Sequence, residues 1–259
     1  MTQADIQKYR EQIEADLAWR LEEIAFFAKQ LNHFKARNVS EEEREKAEND
    51  KKRFRKSLVF ILYAHFEGFF RFAFETYVNA LNEDNIALSK TIDVLVVSSL
   101  YKIFGDYDYV KSQIEQDRDE FNFNKMQNKI GGRLSLLREI DNFQKTGIIK
   151  LPISSNHMDK HSIIYTESNL SPEIVEKIIY RLGFNASTFG LDDVGLKNTF
   201  NAFLMRRNAI AHGDNKFKEG LEAKQWDEYK RAFDKVVNLI PIAIYNALSQ
   251  KLYLKPEFR

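Results

Sequence analysis

The sequence predicts an all-α fold, and three observations favour it. Only 4 prolines and 10 glycines occur among the 259 residues, so long stretches contain no helix breaker. Residue patterns that cap the first turn of a helix occur at several points along the chain. The chain is 44% hydrophobic and 30% charged, which is sufficient for a sizeable core under a charged surface. We therefore expect one helical domain over residues 1–259.

The first two predicted elements form a long N-terminal helical hairpin. Residues 3–36 are the first candidate helix. Ser40 followed three residues later by Glu43 is a capping-box pattern, and it opens a second helix that runs to about Leu81. Two long helices joined by a short turn are expected to pack antiparallel.

Shorter helices are predicted to follow. Their approximate bounds are 90–104, 107–119, 124–140, 171–183, 192–212 and 221–253. Gly131 and Gly132 weaken the third of these, whereas Ser171 before Pro172 is typical of a helix start. Pro241 is expected to kink the last helix.

Residues 146–170 interrupt the helical pattern. They contain Gly147, Pro152 and two short runs rich in β-branched residues, GIIKL and SIIY. We expect either a small irregular insertion or a small hairpin in this segment.

Composition restricts the classes of function that are open to the chain. It contains no cysteine, which excludes disulfides, thiolate metal sites and a cysteine nucleophile. The N-terminus lacks the uninterrupted apolar core of a signal peptide, so we expect a cytoplasmic protein. The most apolar stretch, 57–78, is interrupted by four polar side chains, including Glu67 and Arg71. We therefore expect this stretch to form a buried helix, and we expect no membrane partner.

The net charge of +1 neither requires nor excludes a polyanionic partner, so nucleic-acid contacts must come from local basic patches. The densest patch is KKRFRK at 51–56. A solvated helix face is the simpler interpretation of this patch, because the acidic run EEERE lies just upstream. Smaller patches are Arg206 with Arg207, Lys216 with Lys218, and Lys251, Lys255 and Arg259 near the C-terminus.

The segment RRNAIAHG, residues 206–213, carries the residues that are most capable of chemistry. Arg207 falls within an apolar stripe of its helix, formed by Leu196, Phe200, Phe203 and Ile210. Desolvating an unpaired guanidinium costs several kcal/mol or more. Arg207 therefore requires either a buried acid or an anionic ligand at a cleft or interface.

Asn208 and His212 are four residues apart and share another face of the helix, where the amide could orient the imidazole. Arg207 and His212 are five residues apart and diverge by about 140° on an ideal helix. The long arginine side chain, a loosened final turn at Gly213, or a second copy of the helix could bring the two groups together.

These residues resemble the signature of the HEPN superfamily, which is an Arg, a polar residue, three to five further residues and then His. Two earlier segments, ILYAHFEGFFRFAFETYV and TESNLSPEIVEKIIYRLGF, precede the RNAIAHG helix in the order that is typical of MAE-type HEPN proteins. The resemblance covers about 58–213. The N-terminal hairpin part, 3–57, and the C-terminal helix, within 214–259, match by position only.

The resemblance implies a helical bundle that forms a homodimer through its motif helices and cleaves RNA without a metal or cofactor. It implies that His212 is a general acid or base, that Arg207 binds the scissile phosphate, and that Asn208 positions the histidine. Cleavage through the ribose 2′-hydroxyl would leave a 2′,3′-cyclic phosphate. Because HEPN nucleases serve in toxin–antitoxin and phage-defence systems, the resemblance leaves room for an antitoxin or regulatory protein as a partner.

Supporting roles are expected for Glu67, Arg206 and Gly213. Glu67 matches the HFEG position of the family and is the best candidate partner for Arg207; a local pair with Arg71 is the alternative. Arg206 is either a second phosphate contact or a solvated neighbour.

We expect no catalytic or metal-binding role for the histidines outside the motif. We expect His65 to be a packed core residue. His157 and His161 are spaced like metal ligands on a helix, but they lie in a loop-like segment, so we expect no metal site there.

Two rival hypotheses remain beside the ribonuclease. The first is a non-catalytic HEPN module that binds RNA, a nucleotide or a partner protein. The second is a structural scaffold, in which Arg207 would be fully buried against Glu67 and His212 would lie far from any cleft.

Overall fold

The computed structural model describes the chain except residues 35–39, 106–122, 155, 157–158, 167–168 and 215–217, and it gives only the backbone of 123–126 and 128–130. The longer helices of the described part are α1 (Gln3–Lys29), α2 (Glu41–Glu83), α3 (Asp93–Ser99), α4 (Phe123–Thr146), α5 (Pro172–Arg181), α6 (Val194–Ala211) and α7 (Ala223–Ser249). These helices confirm the all-α prediction. The helix predicted at 107–119 lies outside the described residues.

The N-terminal hairpin forms as its capping residues predict. The Ser40 side chain accepts a hydrogen bond from the backbone N–H of Glu43 and caps α2. Thr2 caps α1 in the same way through Asp5. α1 packs against both α2 and α7, and it ends at Lys29, where a single 3₁₀ turn takes over.

α2 is the central helix of the bundle. Phe66, Phe69, Phe70 and Phe74 on this helix are each at most 1% exposed. Burying one such side chain contributes about 1.5–3 kcal/mol. One 18-residue window of α2 is apolar enough to cross a membrane, but 56% of it is buried inside the protein. That burial is the behaviour of a core helix, as the sequence predicts.

The segment between α4 and α5 is irregular rather than a hairpin. Among the described residues it forms one isolated bridge, between Ile148 and Ala87. Ile149 and Ile163 are at most 1% exposed. Their backbone N–H groups donate to carbonyls outside any ladder, on Ile86 and Pro152. The β-branched residues therefore fill the core instead of pairing with one another.

α6 begins at a capping aspartate and packs through its aromatic stripe. Asp193 accepts from the backbone N–H groups of Gly195 and Leu196, at 2.9 and 3.2 Å. The ring of Phe200 lies 5.0 Å from that of Phe66 on α2, and the ring of Phe203 lies 5.5 Å from that of Tyr229 on α7. The stripe thereby fixes α6 against α2 and α7, and α7 remains helical on both sides of Pro241.

Candidate functional site

α6 ends in a glycine cap at the motif. Gly213 has φ of 68°, in the left-handed region that favours glycine. Its N–H donates to the carbonyl of Ile210, and the N–H of Asp214 donates to the carbonyl of Ala209. This pair of bonds is the Schellman motif. The final turn is therefore well closed, and a loosened turn does not bring Arg207 and His212 together.

Arg207 is half-buried and lies over an aromatic ring. Its guanidinium carbon is 3.7 Å from the centroid of the Tyr63 ring on α2. A ring face attracts a cation by about 0.5–2 kcal/mol, depending on how far it is desolvated. The guanidinium also donates one hydrogen bond, of 2.8 Å, to Oδ1 of Asn208.

The cation of Arg207 therefore lies among apolar residues in a way that the sequence did not indicate. The Tyr63 ring supplies part of the compensation that the sequence analysis assigned to a buried acid or to an anionic ligand. Among the described residues, Arg207 takes part in no ion pair, and one of its five N–H donors is used, in the hydrogen bond to Asn208.

The hydroxyl end of Tyr63 is held by a hydrogen bond to the backbone. It is 5% exposed, and its hydroxyl accepts a 2.8 Å hydrogen bond from the backbone N–H of Leu170, just before α5. Burial raises the pKa of Tyr63 to about 12, and the nearby carboxylate of Glu67 adds to the increase. The phenol is therefore neutral near pH 7, and the ring is fixed between Leu170 and the guanidinium.

Glu67 adopts neither of its two predicted pairings as its main contact. It lies one turn after Tyr63 on α2, and it accepts a 2.9 Å hydrogen bond from the Thr166 hydroxyl. Arg71 donates to Glu75 at 2.6 Å. Glu67 thus ties α2 to the segment before α5, on the same side as the Tyr63 hydroxyl.

The imidazole of His212 is exposed to solvent at the end of α6. Asn208 is half-buried, and its amide oxygen is occupied by the Arg207 guanidinium. Within one chain the amide therefore orients the arginine, whereas the sequence suggested that it orients the histidine. Arg206 donates to Oε1 of Gln225 on α7, at 3.3 Å.

The remaining histidines behave as packed or peripheral residues. His65 is 8% exposed, its Nε2 lies 3.2 Å from a carboxylate oxygen of Glu23, and its ring meets Trp19 edge to face. The prediction of a packed core residue is correct. The backbone N–H of His161 donates to Asp159, while His157 lies outside the described residues.

Tyr63 is the residue that sequence reasoning missed. It precedes Glu67 by four residues and lies inside the segment that carries the family resemblance, so its position was a usable signal. An aromatic residue in an apolar helix, however, is far more often a simple core residue.

The fold and the motif together define the class of the protein. An all-α bundle with an Arg-Asn-x-x-x-His sequence at the C-terminal end of one helix agrees with what the HEPN resemblance implies. A family model described as MAE_28990-like HEPN matches residues 9–253. Since this match spans most of the chain, the chain belongs to the MAE_28990-like HEPN family. No curated protein and no solved structure matches it.

Proposed function

We propose that the chain is a metal-independent endoribonuclease that acts as a homodimer through Arg207, Asn208 and His212. Membership of the HEPN family supports a nuclease or RNA-related role. The observation that carries the finer proposal is the state of Arg207, a half-buried cation with one hydrogen bond and no ion pair among the described residues. Such a group is prepared to bind an anion, and a phosphodiester is the anion that the exposed His212, five residues further along the chain, could help to cleave.

The proposed reaction uses the ribose 2′-hydroxyl as the nucleophile. His212 accepts its proton, the 2′-oxygen bonds to phosphorus, and the bond from phosphorus to the 5′-oxygen breaks. The leaving oxygen takes a proton from a general acid, which we assign to His212 of a second copy. Arg207 stabilises the charge that develops on the phosphate oxygens. The products are a 2′,3′-cyclic phosphate and a 5′-hydroxyl, and DNA is not a substrate because it lacks the nucleophile.

The outer face of α6 supports the dimer in this proposal. Met205 is 71% exposed on this face, and the small residues Ala202 and Ala209 lie one turn to either side of it. Small side chains allow a second backbone to approach closely, and the pairing of identical faces is the usual geometry of a two-fold dimer. His212 follows on the same face, two turns after Met205.

The decisive experiment compares purified wild type with Arg207→Ala and His212→Ala on single-stranded RNA. Each substitution should reduce cleavage by at least about 100-fold, which is the usual effect of removing an acid–base or oxyanion group. Helicity by circular dichroism and the dimer mass should remain unchanged, and EDTA should not inhibit wild type.

Arg231→Ala and His33→Ala are the matched controls, since both side chains are exposed on other parts of the molecule. They should cleave like wild type. Absence of cleavage by wild type, or cleavage by both motif variants at the wild-type rate, would refute the proposal.

A non-catalytic RNA-binding HEPN module is the second candidate. One observation favours it: the Asn208 amide is bonded to Arg207, so it does not hold the exposed imidazole in a catalytic orientation. This candidate predicts RNA binding that weakens steeply with salt and yields no product. A toxin or phage-defence setting, with an antitoxin or regulatory partner, is compatible with either activity.

A further inference from the structure

Basic residues from two parts of the chain that are far apart in the sequence line one groove. The groove has a volume of about 460 Å³, and it is lined by Asn49, Lys52, Arg53, Lys218 and Glu219. The first three belong to α2, and the last two precede α7. The described residues of its lining carry a formal charge of +2, from three cations and one carboxylate.

The backbone fixes this junction. The N–H of Leu221 donates to the carbonyl of Lys52 at 2.9 Å, and Leu221 is fully buried. Gly220 has φ of 101°, and a Cβ atom there would lie 2.5 Å from the carbonyl carbon of Lys52. Only glycine allows this approach, so the two walls of the groove are held in a defined position.

The cations of the groove differ in how far they are already paired. Lys52 is 2.7 Å from Glu222, which neutralises much of its charge. The Arg53 side chain is 74% exposed and lies 3.8 Å from Asp50, a contact that contributes little at a surface. Lys218 is exposed. Arg53 and Lys218 are therefore the two cations that an anionic ligand can recruit at low cost.

The groove is connected to the motif by a short path. Arg206, the neighbour of Arg207, donates to Gln225, which also accepts from the N–H of Glu222, the residue that pairs with Lys52. Along the chain, Gly213 and Lys218 are five residues apart, which limits their separation to about 18 Å. At about 3.4 Å per nucleotide, one stacked RNA strand of about five nucleotides covers that distance.

We propose that this groove binds the phosphodiester backbone of the RNA strand whose scissile phosphate lies at Arg207. Arg53 and Lys218 contact phosphates, and Asn49 supplies an amide donor to a phosphate or to the 2′-hydroxyl of ribose. Glu219 repels the strand and limits its affinity. The groove thus makes a strand of several nucleotides, rather than a dinucleotide, the preferred ligand. This inference rests on the proposed function, because it takes RNA as the ligand of the motif.

The experiment measures binding of a fluorescent 12-nucleotide single-stranded RNA by anisotropy over a range of salt concentrations. All proteins carry His212→Ala, so cleavage does not interfere with the binding measurement. In this background, Arg53→Gln with Lys218→Gln should lower the slope of log K against log salt by about 1.4, since each contact with a single strand contributes about 0.7. At 0.1 M salt, the same loss corresponds to roughly 25-fold weaker binding.

Glu219→Gln tests whether charge in the groove controls RNA binding, because removal of this negative charge should strengthen binding. The matched control is Lys8→Gln with Arg231→Gln, which removes two exposed cations elsewhere on the surface and should leave the salt slope unchanged. Lys8 is on α1, beside the opposite end of α2.

The outcomes separate this inference from the proposed nuclease. If the double groove variant binds like the control variant, or if the protein binds no RNA, the groove proposal is wrong. If wild type cuts RNA while the groove variants bind normally, the nuclease stands without the groove. If RNA binding depends on the groove but wild type cuts nothing, the groove stands and the nuclease is wrong.

Discussion

At the scale of single residues, the notable feature of the site is a cation supported by a ring. A guanidinium held by a carboxylate is already neutralised, whereas one held by the face of Tyr63, 3.7 Å away, keeps its full charge for a ligand. The ring also restricts where the guanidinium can lie. Tyr63 is therefore expected to position Arg207 without touching the substrate itself.

Two substitutions at Tyr63 should distinguish the role of its ring in RNA affinity from the role of its hydroxyl in stability. Tyr63→Leu removes the cation–π contact of about 0.5–2 kcal/mol, so RNA affinity should fall by roughly 2–30-fold. Tyr63→Phe keeps the ring, so affinity should stay near that of wild type. It leaves the N–H of Leu170 unpaired, however, and should lower stability by about 1–3 kcal/mol. Anisotropy and chemical denaturation measure the two effects.

The double variant provides the control. In an Arg207→Ala background, Tyr63→Leu should have no further effect on RNA affinity, because the contact that it removes is already gone. Additive losses from the two substitutions would show that Tyr63 acts on RNA by another route.

At the scale of elements, local signals predicted helix starts and ends better than they predicted the insertion. Ser40, Ser171 and Gly213 act on backbone groups within a few residues, so their effects can be read from the sequence. Whether GIIKL and SIIY would pair or fill the core depended on distant residues. The N–H of Ile149 donates to the carbonyl of Ile86, which lies 63 residues earlier in the chain and is not marked by any pattern in the sequence.

The glycine cap of α6 gives a prediction with an internal control. A Cβ at Gly213 would meet nothing within 4 Å, so Gly213→Ala costs only backbone strain from φ of 68°. We expect a loss of about 1 kcal/mol and fraying of the turn that holds His212. Gly131 also has open space around it but lies inside α4, so Gly131→Ala should stabilise the protein by about 0.5–1 kcal/mol. Urea denaturation of both variants measures the difference. Equal effects of the two alanines would contradict the role of the left-handed conformation.

At the scale of the whole molecule, the candidate site depends on contacts that join distant parts of the chain. The motif residues Arg207 and His212 were visible in the sequence because they are close together on one helix. The ring under Arg207 comes from α2, and the groove forms only because Leu221 bonds to Lys52. Such pairings are set by tertiary packing, which leaves no short-range pattern for sequence reasoning to detect.

The packing of α1 on α2 gives a final prediction, which concerns pH. His65 is 8% exposed, and its Nδ1 has no hydrogen-bond partner among the described residues. Burial lowers the pKa of His65 and the positive charge of Arg20 lowers it further, while Glu23 and Asp16 oppose the shift. The unfolded chain therefore binds a proton at higher pH than the folded protein does.

Protonation of His65 should therefore not reduce the free energy of unfolding above the unfolded histidine pKa of about 6.5. As the pH falls below that value, the free energy of unfolding should decrease. We expect the melting temperature of wild type to drop between pH 7.5 and pH 5.5 by more than that of His65→Gln, which has no proton to gain. His33→Gln is the matched control, since His33 is exposed and should keep the wild-type dependence on pH. Parallel melting curves for wild type and His65→Gln over this range would show that the buried imidazole does not couple protonation to the docking of α1.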